Sequence, residues 1–514
     1  MNGAQIIVQT LSEAGVNLCL VNPGTTEAHL TESIGNHPGM KSVLVLFEGI
    51  ATGAADGYAR MTGKPACTLL HLGPGLANSL SNLHNARRAG SPVINIIGDH
   101  PQYLQKYDSF LSSDIKAIAS PLSDWVSVTT SAQTVHSDTI GAISASMKYP
   151  RGIATLIVPA SVAWQQSFLS DTKVSFQSPS PVDESVIKGI AHIVRSGRKS
   201  AFLLRGNAVN EEGLEAAGSI AMATGSRIFI ETTCPRIQRG AGTVEVERLP
   251  YRYNDLYRFL ADIEHLILVE SNIPGPPFSY SDSLPAVIPA HCAIHVLAQP
   301  HEDGLLAMKQ LASGFGAAGK MPLTVYEKTA IPAGATLHAV SIMQMVAKYL
   351  PEDSIICDES FSGGFSNYHI TTHAARHDYL RLSGGALGNM MAGSIGAALA
   401  CPGRKIICLI GDGSVPFSVQ ALWTQARERL NIITIVFSDN AYSIVKDEMN
   451  LQCNGPFNEK VRALLELTNP VINWSKIAQG FGVQGGRATT CNEFETLLLA
   501  ALKEDGPWLI EAII

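Results

Sequence analysis

The sequence predicts an α/β protein built as three doubly wound, parallel-sheet domains in a row. Three observations carry that prediction. The first is length: 514 residues exceed one domain and correspond to about three of ordinary size. The second is a recurring pattern of short apolar runs, each ending near Gly, Asp or Asn and followed by a stretch of helical period. The third is a pair of polar, loop-forming stretches at 170–185 and 313–338. They divide the chain into 1–170, 185–312 and 335–514.

Taken in order, MNGAQIIVQTLSEAG reads as a helix with Ile6, Ile7 and Leu11 on one face and Gly15 as its stop. Strands of the first segment are expected in NLCLVN, SVLVLF, ACTLLHL, SPVINIIGD and IATLIVP. The second segment offers KSAFLLRG, SRIFIE, HLILVES and CAIHVLA, and the third DSIICDE, KIICLIGDG, IITIVFSD and PWLIEAII. Runs this apolar are strands of parallel sheets covered on both faces, and ligand sites in such sheets lie at the strands' carboxyl ends.

Composition narrows the function classes. Apolar residues make up 46% of the chain and charged residues 16%, which suits a chain that also buries area against copies of itself. The net charge of −7 comes with no Lys/Arg run, so neither nucleic acid nor an acidic membrane surface is an expected partner. No basic leader is expected, and no stretch approaches the roughly 18 uninterrupted apolar residues of a membrane span. Nine scattered cysteines without CxxC spacing read as reduced thiols of a cytoplasmic protein.

The strongest local signal is KIICLIGDGSVPFSVQALWTQARERLNIITIVFSDNAYSI. A strand runs into Gly411-Asp412-Gly413-Ser414, a helix is expected over Val419 to Arg429, and a second strand ends at Ser438-Asp439-Asn440. Twenty-six residues separate Asp412 from Asp439, the length of one crossover, so both acids should meet at the sheet's carboxyl edge. The glycines flanking Asp412 let backbone N–H groups approach an anion at the helix start. Two carboxylates plus diphosphate oxygens form a hard-oxygen set for Mg²⁺ or Ca²⁺. Elsewhere, Glu48 is the only acid in an apolar stretch from Val43 to Ala55. His71 ends a strand before a Gly-Pro-Gly turn and is the leading substrate-side acid or base, ahead of His100. Arg87 and Arg88 read as solvated or interface charges. No GxGxxG opens a first βα unit, which argues against a nicotinamide dehydrogenase.

With these motifs in place, the chain resembles the thiamine-diphosphate family that includes acetolactate synthase and benzoylformate decarboxylase. The resemblance runs through NPGTTE (Asn22 to Glu27), FEGIATGAADGYAR (Phe47 to Arg60), HLGPGLAN (His71 to Asn78), DESFS (Asp358 to Ser362), GGALGNMMAGSIGAA (Gly384 to Ala398) and GDGS. It implies pyrimidine-binding, central and diphosphate-binding domains, in that order. It assigns Glu48 to the pyrimidine N1′, the Gly385 carbonyl to the 4′-amino group and Leu387 to the wedge that keeps the cofactor bent. Asp412, Asp439 and the Ala441 carbonyl would bind Mg²⁺, and Gly413, Ser414 and Ser362 would contact the diphosphate. Because Glu48 and the diphosphate residues lie in different segments, the resemblance implies a homodimer or homotetramer with active sites between subunits.

The chain also departs from the family. Asp439 stands where Asn is usual, and Asn440 is the alternative ligand. KYDSFLSSD (Lys106 to Asp114) lacks the adjacent His pair of pyruvate decarboxylases, and ESNIPGPPFSYSDS (Glu270 to Ser283) lacks a second catalytic His. The central segment lacks the pattern that holds FAD, so flavin is not expected. Three readings stay open: decarboxylation of a 2-oxo acid with carboligation, simple decarboxylation of the benzoylformate type, and a catalytically silent subunit.

Overall fold

All thirteen apolar runs named above become strands, because β-branched and aliphatic side chains can be covered on both faces of a parallel sheet. The computed structural model describes residues 1–171, 173–276, 278, 286–316, 323–331, 336–361, 366–453 and 455–514. In the first segment β1 (Leu18–Val21), β2 (Lys41–Leu44), β3 (Ala66–Leu70), β4 (Val93–Asp99), β5 (Trp125–Val128) and β6 (Ile153–Pro159) pair in parallel. Their order is β2-β1-β3-β4-β6-β5.

The second sheet is β10-β8-β7-β11-β12, from β7 (Ser200–Leu204), β8 (Arg227–Ile230), β10 (Glu247–Arg248), β11 (His265–Val269) and β12 (Ala293–Ala298). The third is β17-β18-β16-β15-β13-β14-β9. It contains β13 (Ser354–Glu359), β14 (His377–Arg381), β15 (Ile406–Gly411), β16 (Ile432–Ser438), β17 (Gln484–Ala488) and β18 (Trp508–Ile513). β9 (Arg236–Arg239) leaves the middle segment and closes this sheet antiparallel to β14. Among the described residues no helix is long and apolar enough to cross a membrane, and no disulfide joins the nine cysteines.

The segments share their cores. One buried cluster joins Leu20, Ile50 and Leu70 of the first sheet's layer to Ile355, Met390 and Ile410 of the third. Its centre is the crossing of the Glu48–Thr62 helix with the Asn389–Ala400 helix. Small residues let the two backbones touch: a Cβ on Gly57 would lie 2.0 Å from the Gly393 carbonyl oxygen, and one on Gly396 1.9 Å from that of Ala54. The buried charge here is satisfied, since Asp56 accepts from Arg60, Ser91 and Asn389. In the middle sheet, β8 and β11 lie on opposite sides of β7, which makes the β7/β11 edge a topological switch point. Glu270 lines that crevice, which opens into a cavity of about 1210 Å³, and accepts from Asn207 N (2.8 Å) and Gly304 N (3.0 Å).

Candidate active site

β15 and β16 are in register to their ends, Gly411 against Phe437, so the next residues of each strand emerge side by side. Asp412 is 2% exposed, and its Oδ2 accepts from Asn440 N at 2.8 Å and Ser438 Oγ at 3.3 Å. Burial first, and the Asp439 charge second, push the Asp412 carboxyl up to about 7. Asn440 adopts φ +53, and this tight turn directs Ala441 N back to Asp439 Oδ1 at 3.3 Å. The helix expected over Val419 to Arg429 is shorter. A 3₁₀ turn, Val415–Phe417, follows Ser414, and the α-helix spans only Ala421–Arg427. Pro416 lacks an N–H, so this chain's first turn offers fewer donors than a regular helix start.

Beside this acid pair lies a cavity of about 780 Å³ lined by Gly385, Leu387, Gly413, Ser414 and Ala441. It is also lined by Tyr251, Phe278, Phe361 and Ile444, with Arg88, Arg205 and Arg381 as the cationic groups. Arg381 is held by Asp358 at 2.6 Å, and Arg205 by Glu231 at 3.5 Å. Arg87 and Arg88, expected as solvated or interface charges, are both exposed; Arg88 also lines this cavity, and Arg87 bonds the Pro121 carbonyl. Ser362 lies outside the described residues.

Glu359, within the DESFS run, ties the cavity-lining Ser414 to the start of the Asn389–Ala400 helix. Its carboxylate accepts from Gly388 N (2.5 Å) and Met390 N (2.8 Å), capping the Asn389–Ala400 helix, and from the Ser414 hydroxyl. Burial pushes Glu359 up to about 7.

The first-segment candidates gather elsewhere. Glu48 opens its helix, is 7% exposed, and accepts from Asn78 Nδ2 at 3.0 Å. His71 Nδ1 lies 2.7 Å from Glu27 Oε2 and 3.4 Å from Thr26 Oγ1. Glu27 is fully buried, and its signal in the sequence was its place in NPGTTE. Gly75 passes between the two groups: a Cβ there would lie 2.9 Å from Glu48 Oε1 and 3.4 Å from His71 Cβ. His100 is engaged with the Phe110 carbonyl at 2.7 Å. Neither Glu48 nor His71 lines the Gly385–Gly413 cavity among the described residues.

Family models for the thiamine pyrophosphate enzyme N-terminal and C-terminal TPP-binding domains match residues 1–120 and 363–512. The chain is 41% identical to IlvX of Mycobacterium tuberculosis, assigned as an acetolactate synthase large subunit, over 100% of this chain and 99% of the relative. It is 25% identical to the benzoylformate decarboxylase of Pseudomonas aeruginosa, covering 98% of this chain and 97% of that one. The solved thiamine diphosphate-dependent 4-hydroxybenzoylformate decarboxylase of Rhodococcus jostii RHA1 superposes with a TM-score of 0.85 at 22% identity, over 99% and 98% of the two chains.

Proposed function

Because this chain belongs to the thiamine pyrophosphate enzyme family, we propose that it uses thiamine diphosphate and Mg²⁺ to decarboxylate a 2-oxo acid and joins the remaining fragment to an acceptor carbonyl, as an acetolactate synthase does. The observation that carries this reading is the Asp412–Asp439 pair beside the cavity that Gly385, Leu387 and Gly413 line. The donor set fits the group. Two carboxylates and a backbone carbonyl are hard oxygens, and a buried acid pair whose mutual repulsion raises one pKa is relieved by a cation.

When bound, the cofactor would supply a nucleophilic thiazolium carbon and a sink for the electron pair left by CO₂. In this reading Asp412, Asp439 and the Ala441 carbonyl hold the metal, and Gly413, Ser414 and Ser362 face the diphosphate. Leu387 would pack against the cofactor, and the Gly385 carbonyl would accept from its 4′-amino group. Glu48 holds a proton at N1′, with Asn78 fixing its carboxyl. His71 moves a proton at the substrate, and the buried Glu27 carboxylate sets its tautomer and direction. Since Glu48 and His71 stand apart from the cavity, the complete site takes them from a second copy of the chain. Flavin has no role in this reading, because the central segment lacks the sequence pattern that holds FAD. The reading places the enzyme in the cytoplasm.

A second reading, simple decarboxylation, is favoured by the His71–Glu27 pair, since a positioned proton donor quenches the carbanion equivalent before an acceptor arrives. Incubating purified protein with thiamine diphosphate, Mg²⁺ and a panel of 2-oxo acids tests both. Hydroxyketone products support carboligation, and aldehydes alone support simple decarboxylation. Absence of CO₂ release from every acid, with cofactor bound, rejects the catalytic reading.

A further inference from the structure

The Leu72–Ala89 helix carries an unusual amide stripe, exposed at Asn78 and buried further along. Asn78, Asn82 and Asn85 fall at i, i+4 and i+7, a spacing that puts them on one face and is ordinarily apolar in a covered helix. Asn82 is 3% exposed and Asn85 is fully buried. A buried amide must find partners for both its oxygen and its NH₂ group. Asn82 donates to the Gly49 carbonyl at 2.8 Å and accepts from Asn85 at 3.0 Å and Asn389 at 3.2 Å.

Asn85 grips one residue of the third segment from both sides. Its Nδ2 donates to the Ala386 carbonyl at 2.8 Å, and its Oδ1 accepts from Ala386 N at 3.2 Å. His84 Nε2 lies 3.0 Å from the preceding Gly384 carbonyl. The approach is so close that a Cβ on Gly384 would lie 2.6 Å from Asn85 Oδ1.

The direction of this grip has a chemical consequence. Ala386 N–H and the Gly385 carbonyl belong to one planar peptide unit, and in a trans peptide they point in opposite directions. With the N–H facing Asn85, the Gly385 carbonyl must face away from it. Gly385 has φ +83, where backbone without a Cβ is free to turn the peptide over, so the residue itself does not fix that direction.

We propose that Asn85 is a positioning residue that aims the Gly385 carbonyl into the cavity from outside the loop. This rests on the reading in which that carbonyl receives the cofactor's 4′-amino group. Asn85 touches neither cofactor nor substrate and acts only through the peptide it holds.

The test compares wild type with Asn85→Ala, both with Mg²⁺, for binding of thiamine diphosphate and of an analogue whose 4′-amino group is replaced by hydrogen. Wild type should prefer the natural cofactor by about tenfold, the worth of one well-placed hydrogen bond. Asn85→Ala should bind both alike, at the affinity wild type shows for the analogue. A variant that keeps the wild-type preference overturns the proposal. Wild type that binds both alike overturns it through Gly385 while leaving thiamine dependence intact, and wild type that binds neither removes the functional reading and the proposal together. Should Asn85→Ala fail to fold, hydrogen exchange on wild type decides: slow exchange of the Ala386 amide supports the clamp, and free exchange overturns it.

Discussion

At the scale of single residues, Asp412 makes the most specific forecast. Its folded pKa of about 7 stands above the roughly 3.9 of an unfolded Asp, so the folded protein binds the extra proton between those values. Metal-free protein should therefore lose stability from this group as pH rises from about 4 to about 7, and Glu270 and Glu359, also pushed to about 7 by burial, add in the same sense. A cation needs the carboxylate, so Mg²⁺ affinity should climb by up to about tenfold per pH unit below 7 and level off above it. Metal titrations across that range check this. Asp439→Asn should keep activity and move that rise to lower pH, because the repelling charge that adds to burial is gone. If Asn440→Ala alone weakens metal binding, Asp439 is not the ligand. Glu48→Gln should retain cofactor but lose at least about 10² in turnover, since an amide cannot hold and return a proton. Steady-state kinetics beside a binding isotherm would expose a wrong assignment as near-wild-type turnover.

Among elements, the crossing of the Glu48–Thr62 and Asn389–Ala400 helices is the joint that relates the first and third sheets. Its small residues leave no room for growth: Gly57→Ala puts a methyl against the Gly393 carbonyl, a backbone atom that cannot swing aside. We expect a loss of about 1–3 kcal/mol on overpacking, read as a lower denaturant midpoint. Gly189→Ala is the control, because its helix position opens on no neighbour within 4 Å and the change should be neutral or slightly stabilising. Unequal legibility of strands has its cause at this scale too. The thirteen apolar runs announce themselves, whereas β5, β9, β10 and β17 are edge strands with partly exposed, mixed sequences. β14 (HDYLR) is wholly buried but polar, and it is tolerated only because Tyr379 and Arg381 meet Asp358 while Asp378 meets Arg236 and Arg404. Such compensation comes from residues far along the chain, which no local pattern reveals.

For the whole molecule, the separation of Glu48 and His71 from the Gly385–Gly413 cavity predicts complementation. In a mixed dimer of Glu48→Gln and Asp412→Ala chains one site carries both lesions and the other carries neither. Random pairing should restore about a quarter of wild-type activity from two inactive parents, given two equivalent sites and a symmetric interface. Co-refolding and assay measure it, and no recovery would mean that each chain completes its own site. The sequence by itself determined the parallel α/β class, the strands with unbroken apolar runs, and the acid pair at the ends of β15 and β16. Those features depend on periodicity and on one crossover of fixed length, which are local quantities. Tertiary structure alone decided that Glu27 backs His71, that Glu359 caps a helix under the cavity, that β9 crosses into the third sheet, and that Asn85 reaches Ala386 across 301 positions. Each depends on desolvated groups finding partners, a demand burial creates and sequence spacing does not record.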